Sequence, residues 1–293
     1  SSLVGKPGTP TSDRVDVSCG IWRMHPVTRE FEIVVRGTTN PWGLDWNEMG
    51  EMFMTGNVNG HLWHVVPGAY YPRMHGQGSA AHVYDRIPLT GDHLHHEGKC
   101  TDRKKFRDNA EGLTDLMGGG HTHCGAMVYL GDNWPEKYRD TIFMSNTHGR
   151  RINNDILQRT GSGYTAVHGN DFMIANHPWY KGVTQIYGPD GGVYMSDWTD
   201  IGECHDNDGV HRTSGRIYKV VYGEVENPGP LDLAKQSNLE LVAYQLHKND
   251  WYVRHARRVL QERYAAGGEV SDARKELIRM LESGDYEVDR ELR

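Results

Sequence analysis

Residues 48–57 read EMGEMFMTGN, and residues 188–198 read GPDGGVYMSDW. Both stretches turn on glycine, climb through an aromatic residue and end on a small residue followed by Asn or Asp, so they are one hairpin phrase written twice. A short hairpin that recurs along a chain marks an architecture built by repetition. Outward from the first copy lie CGIWRMHP (19–26), FEIVVRG (31–37), PWGLDWN (41–47) and HLWHVVPG (61–68). Each carries β-branched or aromatic residues at alternate positions, separated by turn-forming Gly, Pro and Asn, as antiparallel strands require.

The rhythm breaks at about residues 69–117, a stretch rich in His, Gly and charge that reads as an insertion over one face, with KKFRDNAEGLTDLM (104–117) as its one short helix. It resumes at CGAMVYLG (124–131), TIFMSNTHG (141–149), RINNDILQR (151–159) and GYTAVHGNDFMIA (163–175), and again at 181–198 and 214–223. Several multi-stranded units without a helical crossover leave a sandwich or a propeller, and the repeated hairpin selects the propeller. Residues 1–224 are therefore expected to form a mainly β, partial β-propeller.

After EVENPGP (224–230) the period changes to 3.6 residues. Leu239, Val242, Ala243 and Leu246 form one stripe behind a Ser237/Glu240 capping box; Val253, Ala256, Val259 and Leu260 form a second; Ala273, Leu277, Met280 and Leu281 form a third. Residues 230–293 are expected to begin a stacked helical repeat.

Bulk properties exclude some functions. A net charge of -7 without a Lys/Arg stripe provides no electrostatic footprint for nucleic acid. No apolar run reaches the length of a membrane span. The four cysteines, Cys19, Cys100, Cys124 and Cys204, form no Cys-x-x-Cys or haem-attachment motif. Because the sequence starts at Ser1 within a loop-like stretch, it reads as a fragment, with an export signal and part of the active site expected upstream.

Residues 36–57, 124–152, and 182–198 with 214–220 resemble three blades of the soluble quinoprotein glucose and sorbosone dehydrogenases; the most specific phrase is HCGAMVYLGDNWP. With NDWYVRHARRVLQER (249–263) added, the sequence resembles the planctomycete-type membrane-bound dehydrogenase-like proteins, whose propeller is followed by HEAT-like helices and a c-type cytochrome module. The resemblance implies an exported, periplasmic enzyme that oxidises a sugar or related alcohol with pyrroloquinoline quinone (PQQ) and calcium (Ca2+). Electrons would pass to the cytochrome, with haem only in that module. A non-catalytic carbohydrate-binding or scaffold propeller that has lost the cofactor site is the alternative. Carried over by position, Asn40, His148 and Lys181 would face the quinone, whereas Thr39 stands where the family has Arg; Arg150 and Arg151, behind a glycine at a strand end, suit either recognition of the quinone's carboxylates or bracing of acidic loops. The family's catalytic histidine has no counterpart and is expected outside the sequence.

The residues themselves leave further candidates. Asp197 and Asp200, at the end of an inner strand, could ligate calcium or cap the following loop. His121, His123 and Cys124, with Cys204 and His205 from a second loop, could hold a transition metal; a Cys124–Cys204 disulfide and buried free thiols are the other readings. Gly118–Gly119–Gly120 would let His121 and His123 approach a cavity shared with Asn40, His148 and Lys181. Strict alternation from Cys124 would send Cys124, Ala126 and Val128 to one face and Gly125, Met127 and Tyr129 to the other. The string Asp92-His93-x-His95-His96-Glu97 reads either as metal ligands or as a polar loop.

Overall fold

The computed structural model describes residues 2–57, 60–73, 83–93, 120, 122–201 and 209–283. The expected helix at 104–117 and the candidates His121, Cys204 and His205 lie outside the described residues, as do Cys100, His95 and His96.

The strands follow the alternating runs of the sequence. A two-stranded ribbon, β1 (Ser2–Val4) and β2 (Val15–Val17), precedes the pair β3 (Gly20–Met24) and β4 (Phe31–Arg36). The next sheet is the meander β5 (Pro41–Trp46), β6 (Met52–Gly56) and β7 (Leu62–Val65). The largest sheet runs in the order β11 (Gly163–His168), β10 (Arg151–Thr160), β9 (Ile142–Asn146) and β8 (His123–Val128), with β12 (Met173–Ile174) beside β10. The last is β13 (Gly182–Tyr187), β14 (Val193–Asp197) and β15 (Arg216–Val220).

Every pairing within these sheets is antiparallel, and none of the sheets closes on itself. The first strands of three successive meanders, β5, β8 and β13, lie side by side, with β8 in the middle. This is how propeller blades present their inner strands, although no ring closes among the described residues.

β6 explains why its sequence, MFMTG, is apolar without alternation. Phe53 enters the main core with Met127, Val128, Phe143 and Ile152, while its neighbour Met54 enters a second core with Val35, Trp63 and Tyr71. A strand covered on both faces has no polar side to show. The expected alternation across residues 124–129 fails for a different reason. Gly125 adopts φ +66, the β8–β9 register shifts between Cys124 and Met127, and all six residues of β8 are buried. A bulge re-aims the side chains after it.

The GDNWP turn locks two sheets together. The Tyr129 hydroxyl accepts from the amides of Asn133 (3.0 Å) and Trp134 (2.7 Å) and donates to the Gly191 carbonyl (2.8 Å). The Trp134 ring stacks on Tyr129 and Phe172, and its indole N–H reaches the Val220 carbonyl at 3.2 Å.

Three α-helices follow: α1 (Asn238–Ala243), α2 (Asp250–Ala265) and α3 (Ser271–Ser283). Both halves of the Ser237/Glu240 capping box form. The apolar stripe of α1 differs from the expected one: Leu241 and Val242 are buried, whereas Leu239 and Ala243 are exposed, as is Leu246, which falls in a 3-10 turn (Tyr244–Leu246) that ends the α-helical period. In α2 the buried stripe includes Val253, Ala256 and Val259, and in α3 Ala273 and Met280, while Leu281 faces outward. Helix α2 docks directly on the strands: its N-cap Asn249 donates to the Gly188 carbonyl (3.1 Å), and the Asp250 amide to that of Leu130 (3.0 Å). No described helix is long and apolar enough to cross a membrane.

Candidate functional site

One end of the inner strands gathers most of the residues singled out by the sequence. The Asn57 amide donates to the Asn40 carbonyl (3.2 Å), Asn57 bridges to Thr122, and the Thr147 amide donates to the Thr122 carbonyl (3.1 Å). The Thr147 hydroxyl in turn donates to the Gly182 carbonyl (2.9 Å). This row carries Asn40, His148 and Lys181 to the same strand end, with Asn40 exposed and both His148 and Lys181 buried.

The backbone at that end is strained. Thr38 (φ 64), Asn40 (φ 44), Arg150 (φ 54) and Thr199 (φ 53) all occupy the left-handed region. For β-branched threonine this conformation costs about 1–3 kcal/mol and persists only where surrounding structure imposes it, a pattern typical of ligand sites.

Asp197 is buried within the same end. Its Oδ1 accepts from the amides of Lys181 (2.8 Å) and Thr199 (2.9 Å), and its Oδ2 from the Thr199 hydroxyl (2.8 Å) and Arg216 Nη2 (3.0 Å). Asp200 accepts from the Trp198 indole (3.1 Å) and the His211 amide (3.3 Å). Arg151, next to Arg150, holds Asp171 at 2.6 Å.

Cys124 is a free thiol, so the disulfide reading does not hold. Its sulfur lies 3.4 Å from Thr147 Oγ1 and 3.6 Å from the Gly182 carbonyl, and burial pushes its pKa up to about 11. Gly120 and Gly149 flank the buried Asn146 amide, and a Cβ on either would collide with it, which accounts for glycine at 120.

His123 enters a second cluster. Its ring packs 3.7 Å from His61 and 4.9 Å from His93, centroid to centroid, and His93 meets His168 edge-on at 4.3 Å. His123 Nε2 lies 3.0 Å from Asn153 Oδ1, while Asn153 Nδ2 donates to Asp171 (2.7 Å), which fixes the amide orientation and makes His123 Nε2 the donor. Asp155 stands between His93 Nε2 (3.1 Å) and His168 Nδ1 (3.2 Å). Burial opposes ionisation of Asp155, but hydrogen bonds from His168 and His93 outweigh it and hold the carboxyl below its usual range; the same bond to Asp155 raises His168.

Sequence reasoning weighed His93 and missed His61, Asp155 and His168. The signal was present in RINNDIL: Arg151, Asn153 and Asp155 alternate along β10 and share one face, an unusual row of polar groups on a strand whose first five residues are buried.

Two of the solved structures similar to the chain are the following. One is the crystal structure of an assigned oxidoreductase (glucose dehydrogenase) from Thermus thermophilus, at 16% identity and TM-score 0.38, covering 64% of this chain and 46% of that one. The other is the PQQ-bound form of aldose sugar dehydrogenase from Streptomyces coelicolor, at 14% identity and TM-score 0.37, covering 64% of this chain and 44% of that one. The chain thus spans less than half the length of either. No curated protein matches the sequence. Residues 4–224 match the family described as a domain of unknown function (DUF7133), and the chain belongs to that family.

Proposed function

We propose that the strand end carrying Asn40, His148, Arg150 and Lys181 binds a multiply anionic quinone, and that the parent protein is an exported quinoprotein-like dehydrogenase of a sugar or related alcohol. Its electrons would go to a c-type cytochrome. The observation that carries this reading is the collection of left-handed backbone at Thr38, Asn40, Arg150 and Thr199 around a buried lysine and histidine. Lys181 and His148 are 1% and 3% exposed, so both side chains stand inside this strand end.

The donor set fits a tricarboxylate: Lys181 and Arg150 supply cationic N–H groups, and His148 and Asn40 can add polar donors. When bound, such a quinone would accept the hydride from the substrate. The chain's own contribution is to orient the carboxylates and exclude water, through the Thr122–Thr147–Gly182 hydrogen bonds that fix the strand ends. Calcium fits less well, because Asp197 already accepts from four donors and Asp200 from two, and no step is assigned to it.

Thr39 favours the second reading, a carbohydrate-binding or scaffold propeller, since it removes one cation from the family pattern. The deciding experiment is titration of PQQ into the full-length parent, followed by dye reduction with a panel of sugars. Binding that Lys181→Met weakens at least about tenfold, together with sugar-dependent turnover, is expected; absence of quinone binding by the complete protein would overturn the proposal.

A further inference from the structure

We propose that His93, Asp155 and His168 form a binding site for one divalent transition-metal ion, with zinc as the best match. The site is separate from the quinone reading and survives or fails without it.

The donors come from three segments held in register. Asp155 on β10 pairs directly with His168 on β11. The segment leading to His93 is laced between two sheets: Leu62 and Gly91 form a bridge, and the Ala166 amide of β11 donates to the Thr90 carbonyl at 2.7 Å. The His93 amide is anchored at 2.9 Å by His61 Nδ1 and at 3.1 Å by Asp92.

One ligand atom from each of His93, Asp155 and His168 lies within 4.8 Å of the other two. The two contacts made by Asp155 Oδ1 are 3.1 and 3.2 Å. Ligands about 2.1 Å from a shared ion, at roughly tetrahedral or octahedral angles, stand about 3.0–3.4 Å apart. The carboxylate is therefore already at ligand spacing from both imidazoles, whose ligand nitrogens lie within 4.8 Å of each other.

Chemistry separates this carboxylate from its counterparts. Among the described residues, the other buried aspartates, Asp45, Asp197 and Asp250, each have an arginine partner, namely Arg254, Arg216 and Arg254. Asp155 is as deeply buried and faces two imidazoles instead. An arginine supplies its own permanent charge, whereas a carboxylate between imidazoles can be satisfied by an ion that all three ligate. Two nitrogens and one carboxylate oxygen suit zinc, with ferrous iron or manganese as its neighbours in ligand preference.

The surroundings favour an open site. The His93 and Asp155 side chains are 1% and 3% exposed, but that of His168 is 38% exposed and gives the ion a path to solvent. Three protein ligands with access on one side leave a coordination position for water or an exogenous ligand, the arrangement of Lewis-acid sites rather than closed structural ones. His123 stacks against His93 on the protected side.

The test uses the full chain, dialysed against chelator and titrated with Zn2+ alone by calorimetry, with bound metal counted by elemental analysis and Co2+ used as a spectroscopic probe. The expected result is one zinc per chain and a Co2+ spectrum without thiolate charge-transfer bands. Asp155→Asn should abolish uptake. His168→Ala, at a partly exposed position, should weaken affinity at least about tenfold in protein that circular dichroism shows to be folded. Lys181→Met, which tests the quinone site, should bind zinc normally. Sub-stoichiometric uptake by the wild-type chain, or equal affinity in wild type and His168→Ala, would overturn the assignment.

Discussion

Arg254 on α2 reaches across to Asp45 on β5, with Nη1 2.6 Å from Oδ1, while the same guanidinium holds Asp250 through Nε. Asp45 also accepts from the Val128 amide of β8 at 2.8 Å, so one carboxylate ties two inner strands to the helices. Removing the arginine strands a buried charge, and Arg254→Ala should cost about 3–5 kcal/mol. Urea unfolding followed by tryptophan fluorescence measures this, and adding Asp45→Asn to Arg254→Ala should recover part of the loss. An unchanged midpoint in the single variant would show that the pair contributes nothing.

Cys124 should be inert in the folded protein. With its thiol pushed up to about 11 by burial, it stays protonated at pH 8, and the reactive species is the thiolate. Iodoacetamide labelling with peptide mapping should leave Cys124 unmodified in buffer and modify it fully in denaturant, with partly exposed Cys19 labelled in both.

At Gly125 the bulge leaves no room for a side chain. Its φ of +66 is unfavourable for alanine, and a Cβ there would collide with the Val183 carbonyl of the next sheet. Gly125→Ala should destabilise by about 2–4 kcal/mol, the sum of left-handed strain and overpacking. Gly161 also has positive φ, but a Cβ there meets nothing within 4 Å, so Gly161→Ala should cost clearly less in the same denaturation assay.

Tyr129→Phe probes the GDNWP turn that locks the two sheets. The variant leaves the Asn133 and Trp134 amides without their shared acceptor and should cost about 2 kcal/mol or more. If the residue serves architecture alone, quinone and zinc binding by the folded fraction should remain unchanged, which titration of the purified variant would show.

The helix cap adds a pH dependence. The Ser237 hydroxyl and then its amide hold Glu240 below its ordinary 4.5, so the cap's contribution is fully present above that value and is lost as pH falls through the lowered pKa. In acid titrations of thermal stability, Glu240→Gln should flatten this part of the curve, and an unaltered acid limb would refute the assignment.

Much of the architecture was legible because strands announce themselves by period and punctuation. RINNDILQR, TIFMSNTHG and GYTAVHG became β10, β9 and β11 near their expected bounds. What pattern could not supply was anything dependent on meeting across sheets. The bulge at Gly125 sits where the Val183 carbonyl, 58 residues away, leaves no room for a Cβ, and Leu246 dropped out of the α1 stripe where a 3-10 turn cut the helix short. Likewise, Asp155 and His168 gain their meaning from His93, which arrives from a stretch without strand rhythm. The polar row on β10 hinted at a site; only the fold revealed what it faced.

The stretch of chain between His93 and Gly120 is pinned where it leaves and where it returns. Thr90, Gly91 and His93 are tied to β7, β11 and Asp155, and Thr122 is tied to Asn57 and Thr147. Because both anchors belong to the sheets, the positions of His93 and Thr122 are set by pairing with β7, β11, Asn57 and Thr147 and not by the residues between them. Substitutions between the two anchors should therefore leave the register of the strands beneath them unchanged.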